Sequence, residues 1–167
     1  SLESSTIDSN SATSWGGGIY SSGTLNLNLS SVDQNTGESG GGGLWISGEL
    51  NIDSSTVNRN VSTGGRGGGI TGNGTINFTF SELNDNSTAI DGGGIWWGSG
   101  QVTVERSDIR RNNANRGGGV FILAENPIFQ FDVVSLNDAT TIGGGMYISK
   151  ASDVSSTPII FNSTVVY

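Results

Sequence analysis

The sequence contains no cysteine, no histidine and only two prolines in 167 residues. Without cysteine, disulfide bonds and thiolate metal sites are excluded. Without histidine, the chain lacks the commonest general base and metal ligand, so we predict neither a metal nor a cofactor. With so little proline, the 28 glycines do not indicate collagen. No apolar run approaches the length of a membrane span.

Basic residues are also scarce. Seven lysines and arginines stand against fifteen acidic residues, which gives a net charge of −8. Because nucleic-acid binding depends on clustered Lys and Arg, we predict no nucleic-acid partner. An acidic balance of this kind is compatible with a soluble surface or secreted protein.

Glycine is abundant and periodic. Six glycine triplets occur, and their first residues are separated by 25, 26, 25, 25 and 26 positions. A fixed period of this length is typical of solenoid architectures. The triplets begin at Gly16, Gly41, Gly67, Gly92, Gly117 and Gly143.

Short apolar patterns recur in register with the triplets. Alternating residues after each triplet predict a half-buried strand, and its inward members are Leu25/Leu27/Leu29, Leu50/Ile52, Ile76/Phe78/Phe80 and Val102/Val104. A second strand is predicted around Ile7, Val32, Val57, Leu83, Ile109, Leu136 and Val165, and a third starts at the glycines. With no segment of helical length, the pattern predicts an all-β fold. We expect one domain over residues 1–167, a right-handed parallel β-helix, that is, a single-stranded solenoid of about six coils of 25–29 residues.

An asparagine stands three residues after the apolar member of the second strand in five repeats. Stacked asparagines can chain amide hydrogen bonds along a solenoid, so we predict a structural ladder, while the glycines are expected to form sharp corners. The ladder is Asn10, Asn35, Asn60, Asn86 and Asn112. Aligned on Leu136, the sixth repeat is predicted to break the pattern, with Val134 and Ala139 in place of the usual serine and asparagine.

The two motifs together resemble the repeats of polymorphic outer-membrane proteins, which carry GGA(I/L/V) and FxxN. Here the first motif reads GGGIY, GGGLW, GGGIT, GGGIW, GGGVF and GGGMY, and the second pairs an aliphatic residue with the asparagine. The departures are a third glycine for alanine and an aliphatic residue for phenylalanine. The resemblance covers nearly the whole chain. It implies a bacterial surface or secreted β-helix, often an adhesin-like passenger.

An outward column of aromatic residues is the predicted binding site. It comprises Tyr20, Trp45, Trp96, Phe121 and Tyr147, and Thr71 interrupts it. One interpretation is structural, since stacked rings on neighbouring coils stabilise each other. The other is a binding face for a protein partner or a glycan, because exposed aromatic stripes mark interaction surfaces.

Two further regions are candidate sites. The densest charge cluster is Glu105, Arg106, Asp108, Arg110 and Arg111. It is predicted to be a solvated face with weak ion pairs, although a carbohydrate-active lyase or hydrolase would need such carboxylates to converge. The distance from triplet to next strand grows from 7 to 14 residues along the chain, which predicts a C-terminal loop at Ser149–Pro158 as a second binding region.

We therefore expect an extracellular or cell-surface structural and adhesive module without catalysis. The alternatives are a carbohydrate-active β-helix enzyme and a self-assembling filament subunit. Open solenoid ends predict either a segment of a longer chain or self-association through those ends.

Overall fold

A computed structural model describes residues 1–149, 157–161 and 163–166. These residues form β-strands and contain no helix. Among them there is therefore no helix long and apolar enough to cross a membrane. The strands are β1 (Leu2–Glu3), β2 (Thr6–Asp8), β3 (Ser11–Ala12), β4 (Ile19–Ser21), β5 (Thr24–Asn28), β6 (Ser31–Asp33), β7 (Thr36–Gly37), β8 (Leu44–Asp53), β9 (Thr56–Asn58), β10 (Val61–Ser62), β11 (Ile70–Thr79), β12 (Glu82–Asn84), β13 (Ser87–Thr88), β14 (Ile95–Glu105), β15 (Asp108–Arg110), β16 (Asn113–Arg116), β17 (Val120–Ile122), β18 (Ile128–Gln130), β19 (Val133–Ser135), β20 (Asp138–Ile142), β21 (Met146–Ile148), β22 (Ile159–Phe161) and β23 (Thr164–Val166).

The strands form three parallel sheets that wind into a solenoid of about six turns. One sheet contains β1, β5, β8, β11, β14, β17 and β21, joined by β4, β18 and β22. The second runs from β2 through β6, β9, β12, β15 and β19 to β23, and the third from β3 through β7, β10, β13 and β16 to β20. The predicted parallel β-helix is confirmed, while its right-handed winding stays a prediction. We number the coils 1 to 6 by their glycine triplets.

The division into faces differs from the prediction. In coils 2 to 4 the strand after the glycines continues without a break into the next predicted strand, as in β8, β11 and β14. The third face is instead built by short strands after the asparagines, where the sequence shows no apolar alternation to reveal them. Two of the predicted strands therefore share one sheet.

The core is a continuous apolar column along the solenoid axis. It includes Leu27, Ile52, Phe78, Val104 and Phe129, all of which are buried. Burial of alternate side chains from every coil supplies the hydrophobic stabilisation that no coil could supply alone.

Two of the predicted inward residues were wrongly assigned. Leu29 and Phe80 lie on the surface, since the strand ends one residue earlier and the backbone turns there with φ of 48° and 47°. The left-handed conformation reverses the side-chain direction that strict alternation would give.

Each coil turns at residues in the left-handed region, and a side chain that follows the turn secures it. Two of the corners in a coil are formed by residues other than glycine. In coil 2 these residues are Ser54 and Arg59, with φ of 48° and 55°. Ser55 follows the first, and its hydroxyl donates to the carbonyl of Asp53 at 2.7 Å. Asn60 follows the second. Such local hydrogen bonds offset the strain of a left-handed residue with a side chain.

The predicted asparagine ladder is present, and its interior members are fully buried. Asn60 illustrates the bonding. Its backbone N–H and its Nδ2 donate to Oδ1 of Asn86 at 2.9 and 3.0 Å, and its Nδ2 also donates to the carbonyl of Val32 at 2.8 Å. Its Oδ1 accepts the equivalent pair from Asn35. The amide is thereby satisfied, as a buried polar group must be to avoid a desolvation cost.

The third glycine of the first five triplets forms the wall against which this ladder packs. A Cβ atom added at Gly43 would lie 2.9 Å from Cγ of Asn60, and one at Gly69 would lie 3.0 Å from Cγ of Asn86. The two sequence motifs are therefore complementary parts of one packing arrangement. A third glycine suits this contact because even the methyl group of alanine would press on the ladder.

The predicted break of the asparagine ladder in the sixth repeat is wrong. Val134 pairs with Ile109 and occupies the inward position, while Leu136 is an exposed corner residue with φ of 57°. Asn137 continues the ladder, because its Oδ1 accepts from both nitrogens of Asn112 at 2.9 Å. The alignment on Leu136 was two residues out of register.

A serine ladder runs along the other non-glycine corner, and an aspartate interrupts it. Ser107 N–H donates to Oδ1 of Asp132 at 2.9 Å, and Asp132 N–H donates to Ser163 Oγ at 3.1 Å. Oδ2 of Asp132 is buried and has no partner among the described residues. Burial raises the pKa of Asp132 to about 6, although the Ser107 N–H opposes this shift.

We predict that Asn112→Ala strongly destabilises the fold. The change removes the acceptor of two donors on Asn86 and the donor to the Leu83 carbonyl, all buried. Leaving such groups unpaired should cost about 3 kcal/mol or more, and lower the melting temperature by about 10 °C. Asn113→Ala is the matched control, because its side chain is exposed and should change stability by less than about 0.5 kcal/mol. Equal melting temperatures for the two variants would contradict a stabilising ladder.

We predict that Asp132→Ser stabilises the protein above pH 6. Folding raises the pKa of Asp132 from 3.8 to about 6. The stabilising contribution of the protonated side chain to the free energy of unfolding is therefore fully present below pH 3.8, and it is lost as the pH rises through 6. The variant should melt about 5 °C above the parent at pH 7.5 and show a much smaller difference at pH 4. The exposed Asp138→Ser provides the control. A difference that does not change with pH would refute this origin of the effect.

Candidate functional site

The sheet register places the predicted aromatic column along one line of the solenoid. Tyr20 pairs with Trp45, and Trp45 with Thr71. The line continues through Trp96, Phe121 and Tyr147 on the next three coils. These side chains are absent from the core cluster, so they cover the outside of the sheet.

Exposure varies along the column. Tyr20 is 51% exposed, whereas Trp45, Trp96 and Tyr147 are partly buried. Phe121 is only 3% exposed, and its ring stacks on Tyr147 with a centroid distance of 4.6 Å. Phe121 can therefore support a binding face through packing, while the other four rings can contact a ligand.

A second column runs beside the first, and the sequence analysis missed it. It consists of the residue that precedes each triplet, namely Trp15, Gly40, Arg66, Asp91, Arg116 and Ile142. Backbone bridges or strand pairing join most of its neighbours across the coils. Aligning the repeats on the position before the triplet would have revealed it. We call both columns together the aromatic–arginine face.

At the N-terminal end of this face, three rings stack. The Tyr20 and Trp45 rings lie 4.8 Å apart and within 6° of parallel. Trp15 stacks on the same Trp45 ring at 5.4 Å. Trp45 is thus held from the coil 1 side by two aromatic neighbours, which fixes its orientation.

At the C-terminal half, a buried carboxylate holds two arginines. Asp91 is 2% exposed, and its oxygens accept from Nε and Nη2 of Arg116, each at 2.8 Å. Arg66 approaches more loosely, with Nε 3.5 Å from Oδ2 of Asp91. The hydrogen bonds that Arg116 donates to Asp91 raise the pKa of Arg116. A planar two-bond pair of this kind fixes both partners.

Both arginines cover aromatic rings. Cζ of Arg66 lies 4.9 Å from the Trp96 ring centroid, and Cζ of Arg116 lies 5.0 Å from that of Phe121. Cation–π contacts at these distances are favourable. The face therefore places a positive charge against a ring at Arg66 and at Arg116, in a protein that is acidic as a whole.

A cleft opens where Thr71 interrupts the column. Its volume is about 340 Å³, and its lining includes Trp45, Arg66, Thr71 and Trp96. The Thr71 hydroxyl donates to the Arg66 carbonyl and accepts from Gly41 N–H. Thr71 therefore forms the floor, while the two tryptophans stand on either side.

The charge cluster at Glu105 to Arg111 does not converge on a groove. Arg106 pairs with Glu105, Arg110 with Asp108, and Arg111 with Asp85 on the neighbouring coil. All six side chains are substantially exposed. This arrangement agrees with the solvated face that the sequence predicts.

A larger cleft of about 530 Å³ lies between Ser99–Thr103 and Leu123–Ile128. It adjoins the corner where the insertions accumulate, and Thr157 N–H donates there to Oδ1 of Asn126. Most of the predicted C-terminal loop, residues 150–156, lies outside the described residues.

Within the part of the chain that the structure describes, no group of three or more acidic side chains is arranged to hold a metal ion. Comparisons of the chain with protein-family models, curated proteins and solved structures found no significant match. The site must therefore be interpreted from its own chemistry.

We predict that Asp91→Asn destabilises the protein more than Asp85→Asn does. Each aspartate accepts two hydrogen bonds from an arginine on the next coil, but Asp91 is 2% and Asp85 39% exposed. Removing the buried charge leaves Arg116 and Arg66 without their counter-ion and should cost about 2 kcal/mol, whereas the exposed pair should cost below about 1 kcal/mol. Urea denaturation of the two variants measures this. Equal losses would mean that Asp91 does not anchor the face.

Proposed function

We propose that this β-helix is an extracellular structural and adhesive module that binds a polysaccharide along the aromatic–arginine face and catalyses no reaction. The observation that carries the proposal is the line of accessible rings on four coils, with a spacing of 4.8 Å between the first two. These rings are Tyr20, Trp45, Trp96 and Tyr147. A linear glycan that lies along the column contacts the outer edges of these rings, and a sugar ring can stack where an aromatic face is open, as on the coil 3 side of Trp45.

Several side chains of the face are held in place before any ligand binds, and this supports the proposal. Trp45 is held by two rings, and Arg116 is held by the buried Asp91. Ordering a long side chain on binding costs about 0.5–1.5 kcal/mol, and a face that is already ordered avoids that cost. A weakly binding polymer gains most from such preorganisation.

The shape of the face favours a glycan over a protein partner. A stable protein interface buries about 800 Å² on each side. The aromatic–arginine face is only two side chains wide, with acidic residues such as Glu38 and Glu49 exposed on either side along the chain. A narrow ribbon suits an extended chain better than a globular surface.

The carbohydrate-active enzyme has less support. Glycoside hydrolysis needs two carboxyl groups on opposite sides of the scissile bond. The carboxylate within this face, Asp91, is buried and has both oxygens engaged by Arg116.

The surface location is supported by the resemblance to outer-membrane-protein repeats noted from the GGG and asparagine motifs.

We predict that Trp45→Ala weakens polysaccharide binding about tenfold, because one stacking partner is lost. The measurement is affinity electrophoresis of the chain through gels containing a panel of neutral and acidic polysaccharides. The melting temperature should fall by less than about 5 °C.

Phe80→Ala is the matched control, since Phe80 is an exposed ring on a different corner and should not affect migration. Unretarded migration of the parent protein in every gel would overturn the proposal. If Trp45→Ala instead prevents folding, the column has a structural role, and Tyr20→Ala then tests binding at the same face.

A further inference from the structure

Coil 3 departs from the repeat at two places that border the same cleft. Thr71 stands where the other coils carry an aromatic ring. The loop before the triplet is also longer. Val61 to Gly67 spans six steps, against five between the paired residues Thr36 and Gly41 on coil 2. The longer loop contains Gly64 and Gly65, and both glycines line the cleft.

One wall of the cleft is a tryptophan with a single stacked side. Tyr20 and Trp15 cover the coil 1 side of Trp45. Among the described residues, no other ring and no arginine stacks on Trp45. Its coil 3 side is therefore open to a ligand ring at the level of Thr71.

The opposite wall is a guanidinium group with unused donors. Arg66 lies over Trp96, and its side chain is 52% exposed. Its only described charge partner is Asp91, at 3.5 Å, and that carboxylate is already bonded to Arg116 on both oxygens. The terminal nitrogens of Arg66 make no hydrogen bond within the described residues, so they can receive an anionic group.

The gap between Trp45 and Trp96 fits one layer, in which a sugar ring stacked on Trp45 lies beside the Arg66 guanidinium, because Cζ of Arg66 is 4.9 Å from the Trp96 centroid. Strands in a sheet lie about 4.8 Å apart, so Trp45 and Trp96 are separated by about 9.6 Å over two coils. A ring at the level of Thr71 would continue the 4.8 Å stack of Tyr20 on Trp45. The C–H bonds of a pyranose carry the partial positive charge that an indole face attracts.

We propose that the cleft is a subsite for one hexuronic acid residue within an otherwise neutral glycan, and this rests on the proposed function. Trp45 stacks on the sugar ring, and the free N–H groups of Arg66 bind its carboxylate. Because the protein carries a net charge of −8, it repels a densely charged polyanion, so the acidic ring stands within a neutral chain.

To test this proposal, the full chain is titrated with methyl glucuronide and with methyl glucoside, and binding is followed by tryptophan fluorescence. The two probes differ only in the carboxylate. We expect the glucuronide to bind at least about tenfold more tightly, which corresponds to one charge-assisted hydrogen-bonded pair. Sodium acetate at the same concentration should leave the fluorescence unchanged, because it lacks the ring.

Three variants complete the experiment. Arg66→Gln should abolish the tenfold preference while keeping glucoside binding. Arg59→Gln should retain the preference, because Arg59 is 56% exposed and pairs with Asp33 outside the cleft. Thr71→Phe should block both sugars by supplying the missing ring, and its melting temperature shows whether the variant folds.

The outcomes separate the two proposals. Equal affinity for both glycosides, with both lost in Trp45→Ala, would overturn the acidic subsite and leave polysaccharide binding intact. A response to acetate equal to that of the glucuronide would reduce the cleft to an anion site and overturn the ring subsite. Absence of binding by both glycosides and by every polysaccharide in the gel panel would overturn both proposals.

Discussion

The buried asparagine ladder is the interaction on which the rest of this structure depends. Each interior asparagine satisfies its whole amide by bonding to the coils on either side, as Asn60 does with Asn35 and Asn86. The ladder sets the register of one coil on the next. The third glycine of the first five triplets leaves just enough room for it, since a Cβ at Gly43 would press on Asn60. Glycine and asparagine therefore repeat at the same period because each requires the other.

The candidate site follows from this register. Once the glycine corners are aligned, the residue before each triplet and the second residue after it form two outward columns. Substitutions there leave the core unchanged, so the face can vary from coil to coil. Coil 3 shows the result, where Thr71 and the added glycine open a cleft between Trp45 and Trp96. The solenoid thus works as a stiff support on which local departures from the repeat create a cleft.

Periodicity made the fold and the first column predictable from the sequence. The glycine triplets predicted the solenoid, and alignment on them placed Tyr20 beside Trp45 correctly. The misplaced apolar residues have a common physical cause, which is the left-handed corner. At Leu29, Phe80 and Leu136 an apolar side chain occupies such a corner and faces outward, so a simple apolar pattern misplaced all three. The pairing of Asp91 with Arg116 connects residues 25 positions apart and shows no local pattern. The missing ring at Thr71 is visible in the sequence, but the cleft also depends on the positions of Arg66 and the two tryptophans, which the structure shows.

The central claim is that a ligand ring takes the place of the missing aromatic residue on coil 3. A crystal structure of the chain soaked with a glucuronic-acid-containing oligosaccharide tests it most directly. The account predicts density for one sugar ring stacked on Trp45 at the level of Thr71, beside Arg66 and with its carboxylate against the edge of the guanidinium group. Density for the ligand elsewhere on the solenoid, with this cleft empty, would contradict it.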